Sequence, residues 1–164
     1  MEISIFKSSL NEATIIHEMQ IKTFMPLLNK YQDYETSPAN ESVERTIDRL
    51  NQSFTDYYII KSSNLTVGAI RIVRKENKRY RVGPIFILPE HQGKGIAQRV
   101  FSIIEDIYND AEIWELDSIV QEYGNCALYE KLGYHKTGEI KQINDTMTIA
   151  SYEKTLNSVY QFGN

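Results

Sequence analysis

One segment, residues 85 to 109, most constrains what this chain can fold into, because a short apolar run leads through two glycines into an amphipathic helical pattern. The first turn of a helix leaves backbone N–H groups without partners at the positive end of the helix dipole. Gly93 and Gly95 keep Cβ atoms away from these groups, and Lys94 adds a positive charge. The segment therefore predicts a binding site for a phosphate or diphosphate.

The two best-known glycine motifs do not fit this loop. In a Walker A loop, Leu88 would have to be glycine and Gly95 would have to be serine or threonine. In a dinucleotide fingerprint, Gln98 would have to be glycine, although Glu115 stands where the ribose-binding acid is expected. A purely structural interpretation stays open, in which the glycines only let a helix pack closely on a sheet.

The rest of the chain predicts a mixed α/β (α+β) fold in one domain, residues 1–164, with a mostly antiparallel central sheet, one parallel strand pair and about four helices. Pro84 cannot donate to a strand ladder, so a bulge or an unpaired stretch is expected at Gly83-Pro84. The predicted elements are a strand at 3–7, a helix from a Ser9 cap through Leu28, a helix through Val43 and Leu50, strands at 56–61, 65–74 and 79–88, a helix at 93–109, a strand at 112–120, a helix at 125–132, and strands at 134–143 and 147–155.

Composition excludes several classes of protein. The 18 basic and 22 acidic residues give a net charge of −4, which argues against nucleic-acid binding. No apolar run approaches the roughly 20 residues of a membrane span, and the N-terminal residues lack signal-peptide character, so a cytoplasmic protein is predicted. The single cysteine, Cys126, and three scattered histidines predict neither an internal disulfide nor a metal site.

Two sequence motifs together resemble the GNAT superfamily of N-acetyltransferases. The run Gln92-Gly93-Lys94-Gly95-Ile96-Ala97 matches that family's Gln/Arg-x-x-Gly-x-Gly/Ala loop, and Leu-Tyr-Glu-Lys-Leu-Gly-Tyr follows at 128–134. The resemblance implies an N-acetyltransferase that transfers the acetyl group of acetyl-CoA to a primary amine by direct attack in a ternary complex. The alternative is a non-catalytic acyl-CoA-binding module of the same fold.

The resemblance also implies where the cofactor binds. The loop amides would hold the diphosphate of acetyl-CoA, and the preceding strand would pair with the pantetheine arm. The bulge at Gly83-Pro84 would splay this strand from the strand at 112–120 and open a slot. The implied cofactor residues are Ile85, Phe86, Ile87, Gln92, Gly93, Lys94, Gly95, Ile96, Ala97 and Asn125.

Asn125 is included because the chain departs from the family pattern. The family's usual asparagine stands seven residues before the motif tyrosine, where this chain has Glu122. Asn125 lies one helical turn before that tyrosine, so it either supplies the pantetheine contact or only caps the helix.

The resemblance assigns Tyr129 as the general acid that protonates the departing thiolate, with simple packing on the sheet as the alternative. No motif fixes the general base. Glu115 and Asp117 share one face of a strand, and Asp117 is the expected base because it lies nearer the end of that strand. A solvated pair of carboxylates is the alternative interpretation, and Glu90 is another candidate. Cys126 is expected to be a small buried thiol rather than a covalent nucleophile.

The acceptor is not identified by the sequence beyond a small-molecule or peptide amine. An aromatic and acidic segment follows the first helix, and in similar proteins this region borders the acceptor. Aromatic faces and carboxylates suit a cationic amine. The residues in question are Tyr31, Asp33, Tyr34 and Glu35. A solvated loop is the alternative interpretation, and the sequence leaves a homodimer open.

Overall fold

A computed structural model describes residues 1–156, and a continuous seven-stranded sheet runs through them. Four α-helices and three short 3-10 turns flank this sheet in the described residues. In chain order the elements are β1 (Ile3–Lys7), a turn at Leu10–Glu12, α1 (Ala13–Tyr31), a turn at Pro38–Asn40, α2 (Val43–Asn51), β2 (Thr55–Ser62), β3 (Leu65–Arg74), β4 (Arg79–Ile87), a turn at Pro89–His91, α3 (Ile96–Ile107), β5 (Ile113–Ile119), α4 (Tyr123–Lys131), β6 (His135–Asn144) and β7 (Met147–Thr155).

The strand order is β1-β2-β3-β4-β5-β7-β6, and every neighbouring pair is antiparallel except β4 with β5. Helix α3 connects that one parallel pair, as a parallel crossover requires. The predicted fold class, element order and single parallel pair are therefore confirmed.

The sheet separates two apolar clusters, because successive side chains of a strand point to opposite faces. On one face, Ile60 packs with Val100 of α3 and with Trp114 of β5. On the other face, Ile59 packs with Ile16 of α1 and with Phe86 of β4. Helices α1 and α3 therefore pack on opposite faces of one continuous sheet.

The parallel pair separates soon after it forms. β4 pairs with β5 only where Arg79–Arg81 meets Ile113–Glu115, although both strands continue. Against β3, Ile85 stands opposite Ile70 and Val82 opposite Ile72, so Gly83 and Pro84 together face Arg71. Two residues against one is a β-bulge, as predicted at this position. Beyond it, a slot lies between β4 and β5.

Two helix starts differ from their predicted positions. Helix α3 begins at Ile96 rather than at 93, because Gly93 and Gly95 adopt φ angles of +75° and +78°, which no right-handed helix contains. Helix α4 begins at Tyr123 rather than at 125. The glycines of the motif thus form the approach to the helix rather than its first turn.

Candidate active site

The glycine loop is fixed to the end of β4 by one side chain. Gln92 Nε2 donates a hydrogen bond to the carbonyl oxygen of Ile87 at 2.8 Å. Gly93 and Gly95 then turn the backbone through the left-handed region into α3. The apolar face of α3, which includes Ile96 and Val100, is buried against the sheet and holds the helix start in place.

The start of α3 has N–H groups without helical partners. The first helical hydrogen bond runs from Arg99 N to Gly95 O at 3.2 Å, so the N–H groups just before Arg99 have no partner within the helix. A Cβ atom built at Gly93 would have no other heavy atom within 4 Å, which shows open space above the loop. Lys94 is exposed beside it. The loop therefore fits the diphosphate that the sequence predicted.

Some peptide groups of β4 point away from β3, toward the slot. Leu88 N donates to Val67 O at 2.7 Å, so the peptide groups of Phe86 and Leu88 turn toward β3. Those of Ile85 and Ile87 turn the other way, toward the slot. The side chain of Phe86 packs instead against Phe24 of α1, with ring centroids 5.9 Å apart.

A cavity of about 400 Å³ opens where β4 and β5 separate. It is bordered by both strands, by α4 and by the segment between α1 and α2. Its lining contains several of the predicted site residues, which the fold brings together from distant parts of the chain: Ile85, Asp117, Asn125 and Tyr129.

Tyr129 reaches this cavity from α4 and is half-buried among other aromatic rings. Its ring lies 5.9 Å from that of Phe101, 6.2 Å from Tyr134 and 6.3 Å from Tyr152, measured between centroids. Burial, with a smaller contribution from Cys126, raises the pKa of Tyr129 to about 12. The hydroxyl therefore stays protonated at neutral pH and is a hydrogen-bond donor.

Of the two strand carboxylates, only Asp117 lines the cavity. Its Oδ2 accepts from Arg81 Nη2 at 2.5 Å and its Oδ1 from Ser151 Oγ at 3.1 Å. The Glu115 carboxylate is instead surrounded by Lys75 at 2.5 Å and Arg79 at 3.1 Å. Burial opposes the ionised form of Glu115, but these cations outweigh it and hold its pKa below the ordinary value.

The remaining carboxylate candidate, Glu90, lies apart from the cavity lining. It is exposed and its Oε2 pairs with Lys22 Nζ at 3.0 Å. Cys126 is buried as predicted, with Sγ 3.7 Å from Ser118 Oγ and 3.5 Å from the carbonyl oxygen of Ile119. These contacts give the thiol a packing role.

Glu122, the departure from the family pattern, ties α4 to the end of α1. Its Oε2 accepts a hydrogen bond from Lys30 Nζ at 2.9 Å and another, short one from the hydroxyl of Tyr31. Glu122 is also the residue that precedes α4, so the alternative in which Asn125 caps this helix is wrong. Asn125 lies in the first turn and lines the cavity.

The aromatic and acidic segment after α1 is only partly in the site. Tyr31 and Asp33 are buried and line the cavity, whereas Tyr34 and Glu35 are exposed and do not. The Asp33 carboxylate accepts the backbone N–H groups of Glu35 at 3.2 Å and Thr36 at 2.9 Å, which shapes the turn.

Sequence reasoning missed four charged residues of the cavity: Glu41, Arg49, Arg71 and Arg81. Arg49 donates two hydrogen bonds to the Glu41 carboxylate, at 2.9 and 3.1 Å. Arg71 had one visible signal, because it interrupts the apolar run of β3 between Ile70 and Ile72. A charged side chain on a largely buried strand carries a desolvation cost unless it is paired or hydrogen-bonded.

Comparisons with known proteins agree with this geometry. A family model described as an acetyltransferase (GNAT) domain matches residues 27–156. No curated protein sequence matches the chain at a significant level. Separately, in the part of the chain described by the structure, no helix has both the length and the apolar character needed to cross a membrane.

Several solved structures share the fold. The PaiA N-acetyltransferase of Thermoplasma acidophilum, in complex with coenzyme A, is 16% identical with a TM-score of 0.77 over 95% of this chain and 100% of that one. The spermidine N-acetyltransferase of Vibrio cholerae, in complex with CoA and spermine, is 17% identical with a TM-score of 0.73 over 93% and 95%. A ribosomal-protein alanine N-acetyltransferase of Escherichia coli is 10% identical with a TM-score of 0.75 over 94% of each chain. At these identities the likeness establishes the fold.

Proposed function

This chain belongs to the GNAT acetyltransferase family and uses acetyl-CoA as its acetyl donor, and from that premise we propose that a primary amine attacks the donor directly, in a ternary complex. The observation that supports this proposal is the slot between β4 and β5. The slot opens into the cavity that contains Tyr129 and Asp117, and the glycine loop follows directly after β4, the strand that borders the slot. Donor and acceptor would therefore meet where the strands separate.

The donor would be held mainly by backbone groups. The N–H groups of residues 93 to 97 suit the diphosphate, and Lys94 adds a compensating charge. The slot-facing peptide group of Ile85 and the N–H group of Ile87 suit the pantetheine amides, while the Ile87 carbonyl already accepts from Gln92. Asn125 faces the same cavity. Bound acetyl-CoA supplies a thioester, an acyl group already activated for attack by an amine.

Tyr129 is the proposed general acid. Burial raises the pKa of Tyr129 to about 12, so its hydroxyl keeps its proton until a strong acceptor forms beside it. A free thiol has a pKa of about 8.5, so complete transfer to a thiolate would be uphill in bulk water. Inside the slot the same loss of solvent raises the proton affinity of the thiolate, which narrows that gap. The hydroxyl stabilises the leaving group first as a hydrogen-bond donor.

Asp117 is the proposed general base. A substrate ammonium must lose a proton before its nitrogen can attack, and an ionised carboxylate offers about four acceptor positions. Arg81 occupies one position and Ser151 another, so Asp117 keeps acceptor capacity toward the cavity. The Arg81 contact also fixes the orientation of the carboxylate.

The test is thiol release from acetyl-CoA on addition of a panel of primary amines, with mass spectrometry to detect the mass of one acetyl group on the amine. We expect turnover that depends on both components. Saturable binding of CoA without turnover on any amine would instead identify a non-catalytic acyl-CoA-binding module.

A further inference from the structure

The charges that line the cavity do not pair completely. The lining contains three carboxylates and three guanidinium groups: Asp33, Glu41, Asp117, Arg49, Arg71 and Arg81. Arg49 pairs with Glu41 and Arg81 pairs with Asp117. Among residues 1–156 this leaves Arg71 without a carboxylate within ion-pair distance and Asp33 without a cation.

Within residues 1–156, Arg71 donates hydrogen bonds only to neutral groups. Its Nη1 donates to the carbonyl oxygen of Gly83 at 2.9 Å, and its Nη2 donates to Gln52 Oε1 at 3.0 Å. Its Nε is buried and has no partner in the described part of the chain. Burial and the nearby charge of Arg49 lower the pKa of Arg71 to about 10, so it stays cationic at neutral pH.

Support of the bulge does not by itself explain this arginine. Bonds to Gly83 and Gln52 require only neutral donors, which an amide side chain would provide without burying a charge. A partly buried cation that lacks a counter-ion carries a desolvation cost, and an arriving anion would offset it. The planar guanidinium is suited to a carboxylate, which it can bind through two parallel bonds.

The pattern of unmatched charges limits the chemistry of the partner. One negative group would neutralise Arg71. One positive group would neutralise Asp33, whose carboxylate accepts only neutral donors in the part of the chain that the structure describes. The lining is otherwise balanced, so a doubly charged phosphate would leave excess negative charge in the cavity. An amine that also carries a single carboxylate supplies both missing charges.

We propose that Arg71 binds a carboxylate of the acceptor, so that the substrates of this enzyme are amino acids or other amino carboxylic acids rather than polyamines. This inference rests on the proposed amine acetylation and narrows it to one class of acceptor. Arg71 acts here as a specificity-determining residue, because it binds the acceptor away from the transferred acetyl group.

The test compares free amino acids, bearing α- or ω-amines, with their carboxamides and with spermidine as acceptors. We expect kcat/KM for the preferred carboxylate to exceed that of its carboxamide by about 10- to 100-fold, the range for a charge-assisted hydrogen bond. R71Q should bring the ratio of kcat/KM for the carboxylate to that for its carboxamide close to one. R45Q, an arginine exposed on α2 outside the cavity lining, should keep the preference for the carboxylate.

A second measurement does not depend on the folding of any variant. With the wild-type enzyme, an N-acetylated amino acid should inhibit competitively against the acceptor about tenfold more strongly than its carboxamide does. Equal kcat/KM for acids and carboxamides, a preference for spermidine, or a preference that survives in a folded R71Q enzyme would each overturn the assignment while leaving acetyl transfer intact. Absence of turnover on every amine would instead defeat the proposed function on which it rests.

Discussion

The two ends of the slot are built in different ways. The proposed donor end comes from one continuous stretch, residues 85 to 97, and presents mainly peptide groups. The acceptor end gathers side chains from α1, α2, β3, β4, β5 and α4, and most of its charges are paired with each other, as Arg49 is with Glu41 and Arg81 with Asp117.

This difference predicts which substitutions each end tolerates. Peptide groups are present at every residue, so the donor end depends on backbone shape and above all on Gly93 and Gly95. The acceptor end depends on the identity of individual side chains, so single substitutions should alter its chemistry or specificity while donor binding persists. The following variants separate the two ends, beginning with the largest expected effect.

Tyr129 stands where the two ends meet, and Y129F should lower kcat by about 100- to 1,000-fold because a positioned general acid contributes on that order. Affinity for acetyl-CoA should stay nearly unchanged, since the donor end is built from other residues. Single-turnover rates together with calorimetric titration of CoA would show both effects.

The matched control is Y134F, because Tyr134 packs on the Tyr129 ring and its buried hydroxyl has no partner among residues 1–156. Removal of that hydroxyl should be nearly neutral. A Y129F enzyme with an unchanged chemical step would remove Tyr129 from the mechanism.

D117N tests the acceptor end alone. Loss of the proposed base should lower kcat/KM for the amine by about 100-fold, and the loss should shrink as pH rises and more amine is already neutral. The pH profile of amine turnover is the measurement. E115Q serves as control, because Glu115 lies on the same strand face but outside the cavity lining; equal loss of activity in both variants would argue against a specific role for Asp117.

G93V tests the donor end alone. A valine at a φ of +75° is strained by about 1–3 kcal/mol, and its side chain would enter the open space above the loop. CoA should therefore bind about 10- to 100-fold more weakly in calorimetry.

G138V provides the control for backbone strain, since Gly138 has a φ of +99° and open space around it but lies on β6. It should lose comparable stability and keep its affinity for CoA. Comparable losses of CoA affinity in the two variants would mean that strain rather than blocked access explains the result.

The smallest effect is expected for the ion cluster that supports β5 outside the slot. E115Q should lower the free energy of unfolding by about 1–2 kcal/mol at pH 7, because the remaining cations are partly exposed. The pKa of Glu115 is below its ordinary value of 4.5 in the folded state, so its contribution is complete above that value.

That stabilisation should disappear as pH falls through the folded-state pKa of Glu115. Denaturant unfolding of wild type and E115Q between pH 7 and pH 3 would follow it. A difference that grows on acidification would contradict the assigned sign.

The same contrast explains what the sequence could predict. The element order, the bulge at Gly83-Pro84 and the glycine turn before α3 follow from local rules about proline, glycine and periodicity. The helix starts at 96 and 123 were missed by two or three residues, because positive φ at Gly93 and Gly95 and the contacts of Glu122 decide them.

The acceptor end could not be predicted from local patterns. From the sequence alone, Arg49 is typical of a solvent-facing helix position. In the fold, the segment at 38–41 packs beside it and provides Glu41 as a partner. The role proposed for Arg71 depends on the strand register that places it opposite Gly83 and Pro84. Both depend on contacts between elements far apart in the chain.

The central claim is that peptide groups at residues 93 to 97 hold the diphosphate of the donor. Its most direct test is calorimetric titration of the purified chain with CoA and with pantetheine, which lacks the nucleotide and its phosphates. We expect saturable binding of one CoA per chain and at least tenfold weaker binding of pantetheine. Equal affinity for the two compounds, or no saturation with CoA, would contradict the claim.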